Sequence, residues 1–234
     1  MLKLEGIRLR QGEFTLIADL EIAAGQVVAL MGPSGGGKST LIAAIAGFLR
    51  PETGRLIWDG LDMTDMSPGE RPISVLFQDN NLFPHLTVAQ NLALGIRPNG
   101  RVSVVEGQRI ETVLTQVGLR GLGQRKPGAL SGGQQSRAAL ARVLLGGRPL
   151  VLLDEPFAAL GPGLKEEMLE LTARMLAGPG RCLIIVSHDP ADAIQIADQV
   201  VGVEAGRVAM PVPVADFMAD PPPGMRAYLG RGES

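Results

Sequence analysis

Gly32-Pro33-Ser34-Gly35-Gly36-Gly37-Lys38-Ser39 is the stretch that decides how the rest of the chain is read. It fits the pattern G-x-x-x-x-G-K-[ST], and its flanks are those the pattern requires. Ahead of it, Val27-Val28-Ala29-Leu30-Met31 is a short apolar run without alternation, which predicts a strand buried on both faces of a parallel sheet. Behind it, residues 39–48 are apolar and alanine-rich and predict a buried helix. A glycine-rich loop in that position turns successive backbone N–H groups inward around phosphate oxygens, and the helix that follows adds the positive end of its dipole. Lys38 then supplies a mobile charge to the outer phosphates, and the Ser39 hydroxyl is a ligand for Mg²⁺. The phosphate-binding set is Gly32, Pro33, Ser34, Gly35, Gly36, Gly37, Lys38, Ser39 and Thr40. The plainer alternative is a connecting turn, against which the strand and helix on either side weigh. A phosphate loop does not by itself separate a kinase, a GTPase, a helicase and a transport ATPase.

Working outward, Phe14, Leu16, Ala18, Leu20 and Ile22 alternate with mostly polar neighbours, the period of a half-buried strand. Leu56-Ile57-Trp58 before the turn pair Asp59-Gly60, and residues 73–77, are further strand candidates. From about 80 to 145 the pattern becomes helical. Thr87 and Gln90 can form a capping box, and Ile110, Val113, Leu114 and Val117 fall at i, i+3, i+4 and i+7. Buried-strand runs return at Leu150-Val151-Leu152-Leu153 and Cys182-Leu183-Ile184-Ile185-Val186, separated by a helix with Leu164, Met168, Leu171 and Met175 on one face. Strand, helix, strand predicts a parallel crossover. The proline-bearing tail, 207–234, predicts an irregular end with one short helix. The expected fold class is therefore α/β, with a mostly parallel core sheet, an N-terminal antiparallel β part and an inserted helical part, all within a single domain, 1–234.

Asp154 and Glu155 end the run that begins at Leu150, which puts them at the carboxyl edge of a central strand, where ligands of parallel sheets gather. Asp154 can hold Mg²⁺ through its water shell, and Glu155 can polarise a water against a γ-phosphate. In isolation the pair is as readily an ordinary strand end; the phosphate loop favours the site.

Composition sets the outer bounds. The 234 residues carry 22 basic and 24 acidic side chains, a net charge of −2, which argues against a dedicated nucleic-acid-binding domain, because counterion release needs a basic surplus. Cys182 is the only cysteine, so no internal disulfide forms, and His85 and His188 are too few for a structural zinc cluster. Residues 1–6 lack the basic start and apolar stretch of a signal peptide, and no apolar run approaches the ~20 residues that span a bilayer. The cytosol is the expected compartment. Any membrane role is expected to run through a partner.

Leu130-Ser131-Gly132-Gly133-Gln134 discriminates most sharply. It resembles the signature of ABC ATPases, in which this loop and the following helix N-terminus contact the γ-phosphate held by a second copy. Physically, Ser131 offers a hydroxyl and a helix cap, and Gly132 and Gly133 allow close approach. The resemblance runs through nearly the whole chain. It implies that Gln78 is the Q-loop glutamine, reaching Mg²⁺ and the attacking water, and that His188 is the switch histidine hydrogen-bonded to the γ-phosphate. His85 has no such support and is taken as a surface or interface residue. Gly47-Phe48-Leu49-Arg50-Pro51, the run from Arg71 to Gln78 and the run from Asp79 to Asn91 are similar to the ATP-binding subunit of bacterial thiamine importers, the Asn80-Asn81-Leu82-Phe83 step above all.

The resemblance implies a P-loop ABC ATPase that hydrolyses ATP with Mg²⁺ to drive import of thiamine or its phosphates. Its catalytic residues would be Glu155, His188, Gln78 and Lys38, with Ser131, Gly132, Gly133 and Gln134 as the nucleotide contacts presented to the other copy. Ser39, Gln78 and Asp154 would be the metal ligands. The implied partners are a second copy in an ATP-sandwich dimer, integral membrane permease subunits and, indirectly, a periplasmic solute-binding protein, with no nucleic acid. The implied location is peripheral, on the cytoplasmic face of the bacterial inner membrane. Competing assignments are an importer of another small solute such as iron, sulfate or polyamine, a soluble ABC ATPase without a transport role, and a small-molecule P-loop kinase.

Two stretches depart from the family pattern. The loop usually similar to Ser-Ala-Leu-Asp reads Ala158-Ala159-Leu160-Gly161, two polar groups short, which predicts a working ATPase with a lower rate or weaker coupling between sites. The early strand-loop Leu9-Arg10-Gln11 lacks the usual aromatic that stacks on adenine. Phe14 and the Arg10 guanidinium are the candidates, although a core position for Phe14 competes.

Overall fold

The computed structural model describes residues 1–79 and 81–229. Asn80, within the Asn80-Asn81-Leu82-Phe83 step, and the tail residues 230–234 lie outside the described residues.

The N-terminal hairpin pairs β1 (Leu2–Gln11) with β2 (Phe14–Ile22) antiparallel. The alternation expected of 14–22 is observed, with Leu16, Ala18, Leu20 and Ile22 buried. β1 escaped the periodicity pattern for a visible reason. Leu2 and Leu4 point inward on even positions and Ile7 and Leu9 on odd ones, because a bulge shifts the register between Leu4 and Ile7. An extra residue in one strand inverts the phase of every side chain beyond it.

β3 (Val27–Met31), buried throughout, leads through the phosphate loop into α1 (Lys38–Ala46). α1 buries Leu41, Ile42, Ala44, Ile45 and Ala46, as the apolar run after its polar first turn requires. Its far end is closed by Arg71, 1% exposed, whose Nη1 donates to the Ala44 and Ile45 carbonyls at 2.7 and 2.8 Å while Nε donates to the Met66 carbonyl at 3.0 Å. A cation at the negative end of the helix dipole anchors the helix that carries the phosphate loop.

β4 (Thr53–Trp58) and β5 (Leu61–Asp62) form the hairpin about Asp59-Gly60, and β6 (Ile73–Leu76) follows. Three helices come next: α2 (Val88–Ile96), α3 (Val104–Gln116) and α4 (Gly132–Gly146). Each begins in a capping box, at Thr87 and Gln90, Ser103 and Glu106, and Ser131 and Gln134. β7 (Leu150–Asp154), α5 (Pro162–Leu176) and β8 (Cys182–Val186) make the expected crossover, with β7 and β8 parallel neighbours.

The C-terminal part holds more regular structure than the single short helix expected. After α6 (Pro190–Ile196) come β9 (Gln199–Glu204), β10 (Arg207–Val208), β11 (Val212–Pro213), α7 (Val214–Ala219) and α8 (Pro223–Tyr228). The strand order is β5-β4-β1-β2-β10-β9-β3-β8-β7-β6, with β11 pairing β9. The stretch from β9 to β6 is parallel and the N-terminal strands are antiparallel, the α/β class expected. The β9–β10 turn stitches the two regions to the phosphate loop. Ile17 N–H donates to the Gly206 carbonyl at 2.7 Å, and Gly206 N–H donates to the Gly36 carbonyl at 3.0 Å. No helix among the described residues is long and apolar enough to cross a membrane.

Candidate nucleotide-binding and catalytic site

The carboxyl ends of β3, β8 and β7 lie side by side, with Leu30 opposite Val186 and Val186 opposite Asp154. Three loops leave that edge together: the phosphate loop, Asp154-Glu155 and Ser187-His188. Between them and the end of β1 is a cavity of about 390 Å³ lined by Gln11, Phe14, Ser34, Gly35, Gly37, Lys38, Ser39, Thr40, Glu155 and His188.

The phosphate loop is shaped by the protein as well as for a ligand. A Cβ on Gly32 would stand 2.0 Å from the Val203 carbonyl oxygen, and one on Gly36 would stand 2.7 Å from the same atom. β9 therefore excludes a side chain at both positions, in addition to any demand from a nucleotide. At Gly133 a Cβ would meet only the Leu164 side-chain terminus, at 2.5 Å, so α4 packs closely on α5 there.

Lys38 is 5% exposed and its Nζ donates to the Gly32 and Pro33 carbonyls at 2.7 and 3.0 Å. Burial lowers its pKa, and the nearby charges of Glu155 and Asp154 pull the other way. An ammonium held by its own loop's carbonyls can exchange them for phosphate oxygens at small conformational cost. Thr40 Oγ1 donates to Gln11 Oε1 at 3.2 Å and ties the start of α1 to the end of β1.

Glu155 sits in the left-handed region, φ +48°, one of four non-glycine residues there among those described. That conformation costs a non-glycine residue about 1 kcal/mol, and it turns the carboxylate into the cavity, whereas the preceding Asp154 belongs to the strand. Glu155 Oε1 lies 2.5 Å from His188 Nε2. Two residues 33 apart are thus brought to one point. The His188 loop is braced from behind: Lys165 Nζ reaches Asp189 Oδ2 at 2.8 Å and Asp192 Oδ1 at 2.7 Å, while the Ser187 hydroxyl donates to Asp192 and accepts from Asp189 N–H.

The remaining expected residues stand elsewhere. Gln78 is exposed just past β6 and does not line the cavity. The segment after it is fastened to the helices: the Asn81 carbonyl accepts from Arg142 Nη1 at 2.6 Å, and buried Asn91 exchanges two hydrogen bonds with the Phe83 backbone. Ser131 caps α4, with Ser131 and Gly132 exposed and none of Ser131, Gly132, Gly133 or Gln134 lining the cavity. Gly161 is the N-cap of α5 and provides no side-chain bond there. Phe14 is half-buried, packing on the inner core with one side and lining the cavity with the other. Arg10 is paired with Glu52 at 3.3 Å and does not line it. His85 is exposed, as expected, and Cys182 is buried with its thiol pushed up to about 12, which leaves it inert.

Gln11 and Tyr228 were missed as site residues. Gln11 closes the cavity only because β1 ends beside the phosphate loop. Tyr228, the only tyrosine, comes from α8, and the sequence around it carries no recognisable site motif.

A divalent cation suits the donors at the floor of the site. Asp154 Oδ1 is buried without a hydrogen-bond partner, and the Ser39 side chain hydrogen-bonds to the same carboxyl group. Burial and the neighbouring Glu155 charge push the Asp154 pKa up; the Ser39 hydrogen bond, Lys38 and His188 oppose them. A raised folded-state pKa means the native protein binds this proton more readily than the unfolded chain, so stability is lost as pH rises through it. Asp154→Asn, free of nucleotide and Mg²⁺, is therefore expected to raise the melting temperature near neutral pH by about 2–4 °C, roughly 1 kcal/mol. The gain should shrink as pH falls toward the ordinary value of 3.8, as thermal melts at stepped pH would register. A lower melting temperature for the Asn variant at neutral pH would contradict this account of the site.

With this geometry in place, comparison with known proteins is decisive about the family. The family described as "ABC transporter" matches residues 17–158. The thiamine import ATP-binding protein ThiQ of Cereibacter sphaeroides is 56% identical over 230 residues, spanning 98% of this chain and 100% of that protein. Its counterpart in Ruegeria sp. is 53% identical with the same coverage. Among solved structures, the ATP-binding cassette MJ0796, a dimer in a post-hydrolysis state bound to ADP and Pi, superposes with a TM-score of 0.77 at 30% identity, covering 92% of this chain and 99% of that one. The ADP conformation of MJ1267, an ATP-binding cassette of an ABC transporter, superposes with a TM-score of 0.84 at 27% identity, with 98% of each chain covered. A phosphate loop, a carboxylate and imidazole pair on one sheet edge, and full-length likeness to ATP-binding cassettes converge: the chain belongs to the ABC transporter family, as an ATP-binding cassette.

Proposed function

We propose that this chain is the ATP-hydrolysing subunit of an ABC importer for thiamine or its phosphates, working from the cytoplasmic face of the inner membrane. The observation that carries ATP hydrolysis is the pairing of Glu155 and His188 across the cavity from Lys38. The transported solute rests on 56% identity over the full length of a thiamine import ATP-binding protein.

In this scheme the whole chain acts as a single ATP-binding domain. The amides of residues 32–40 and the Lys38 ammonium hold the phosphates, and Ser39, Asp154 and Gln78 would hold Mg²⁺. When bound, the ion neutralises developing charge on the β- and γ-phosphates. The buried, unpartnered Asp154 oxygen and its Ser39 neighbour support that assignment. Glu155 accepts the proton of the attacking water, and the His188 imidazole, oriented by Glu155, donates to the γ-phosphate. Gln78 stands outside the cavity and completes the site by moving inward with its loop. None of Ser131, Gly132, Gly133 and Gln134 lines their own chain's cavity, and Ser131 and Gly132 are exposed at the start of α4. Their capped helix start therefore faces the γ-phosphate of a second copy, and ATP joins the two chains. Removing the γ-phosphate opens the dimer, and permease subunits convert that motion into transport, a periplasmic solute-binding protein delivering the solute.

Vesicles containing this chain with the membrane subunits that co-purify with it should accumulate labelled thiamine only when ATP and Mg²⁺ are enclosed. ATP-driven uptake of iron, sulfate or a polyamine without thiamine would replace the solute assignment. Nucleotide-independent uptake would remove the importer assignment.

A further inference from the structure

The last described helix reaches the site from the far end of the chain. Tyr228, at the end of α8, donates its hydroxyl hydrogen bond to the main-chain carbonyl of His188 at 2.8 Å. Its helix is anchored by Met225, 2% exposed, whose Cε would lie 3.2 Å from a Cβ on Gly32 and 3.4 Å from one on Gly202. α8 is thereby wedged between the first residue of the phosphate loop, the end of β9 and the loop after β8. Burial pushes the Tyr228 pKa up, and a backbone interaction with Gly32 partly offsets it, so at neutral pH the phenol is the protonated donor that this hydrogen bond needs. From the opposite side, Lys165, Asp189, Asp192 and Ser187 hold the same turn. The His188 carbonyl is the polar group they leave to Tyr228.

We propose that Tyr228 is a positioning residue, clamping the His188 main chain against the phosphate loop so that the His188 imidazole stays on the Glu155 carboxylate. It touches no substrate. Its action is geometric: the imidazole reaches Glu155 Oε1 at 2.5 Å from a loop whose main chain is tied to the sheet edge by Ser187 N–H on the Leu30 carbonyl at 3.4 Å and to α8 by Tyr228 on the His188 carbonyl. Loss of the hydroxyl leaves the ring packing in place and releases only the second tether. This inference rests on His188 and Glu155 being the hydrolytic pair.

The test is Tyr228→Phe in the full-length chain, alone and combined with His188→Ala. Removing one hydrogen bond of ordinary strength is expected to lower kcat for ATP hydrolysis about five-fold, with KM for ATP within about two-fold. In the His188→Ala background, the same change is expected to cost nothing further, because its effect passes through the missing imidazole. An equal loss in both backgrounds, or a rise in KM with kcat unchanged, would overturn the assignment. A second readout does not depend on hydrolysis. The chain has only two histidines, so imidazole NMR signals assign readily, and Tyr228→Phe should shift those of His188 and leave those of His85 in place. Unmoved His188 signals would overturn the proposal whatever the kinetics. A wild-type chain without ATPase activity would instead overturn the hydrolytic assignment, with the NMR result still deciding the clamp.

Discussion

Glu155→Gln is expected to reduce ATP hydrolysis by about 10²–10⁴-fold while ATP binding persists, the loss typical of removing a positioned general base. The amide is nearly the same size and can keep the left-handed backbone at φ +48°, so the change removes charge and basicity without refitting the loop. It can still accept a hydrogen bond from His188 through its carbonyl oxygen. What it cannot do is take the proton from the attacking water. Because ATP then remains uncleaved between two chains, the variant should accumulate as a nucleotide-dependent dimer, measurable by light scattering with ATP and Mg²⁺. A persistent monomer under those conditions would sink the ATP-sandwich arrangement. A rate within ten-fold of the parent would remove Glu155 from the role of base.

The second large effect is expected from Lys38→Met. The ammonium is buried and already hydrogen-bonded to two carbonyls of its own loop, at 2.7 and 3.0 Å, in a position to transfer those bonds to phosphate. A charge-assisted hydrogen bond contributes about 1.5–3 kcal/mol, so losing two such contacts should weaken ATP binding by about 10²–10⁴-fold. Methionine keeps an apolar stem of similar length in place of the lysine stem. Because burial already disfavours the charged amine, the apo variant should fold with a melting temperature close to the parent's. The diagnostic is the contrast between them. ATP and Mg²⁺ should raise the melting temperature of the parent and leave that of the variant where it was. Affinity within about three-fold of the parent by calorimetric titration would show that the backbone amides alone hold the phosphates.

The departures in the loop after Glu155 acquire a structural sense. Gly161 starts α5 without a side-chain cap, so an aspartate there would both cap the helix and restore the polar group that the family pattern carries. The Ala158 and Gly161 departures leave the Lys38, Glu155 and His188 arrangement intact, because those residues are held by strand ends and by the Lys165 network rather than by this loop.

Sequence alone determined the features whose physics is local. A phosphate loop between a buried strand and a buried helix needs only neighbouring residues to define it, and so do capping boxes, where a side chain bonds a backbone group three positions away. The buried strands carrying Leu150 to Leu153 and Cys182 to Val186 were legible because a strand covered on both faces has no polar side to hide. Asp154 and Glu155 followed from standing at the end of the first of those strands, whereas His188 was singled out by the family resemblance.

Tertiary structure alone decided what depends on residues far apart in the chain. The bulge in β1 inverted its periodicity, and only pairing with β2 on one side and β4 on the other explains why both halves of the strand are buried. Gly32 and Gly36 are required by the Val203 carbonyl, some 170 residues away, as well as by phosphate geometry. Arg71 closes α1 from another element, Gln11 reaches the cavity from the first strand, and Tyr228 reaches His188 from the last described helix. None of these leaves a periodic or spaced signature, because a close approach between distant segments is fixed by packing the whole sheet edge, and a single sequence window holds only one side of each contact.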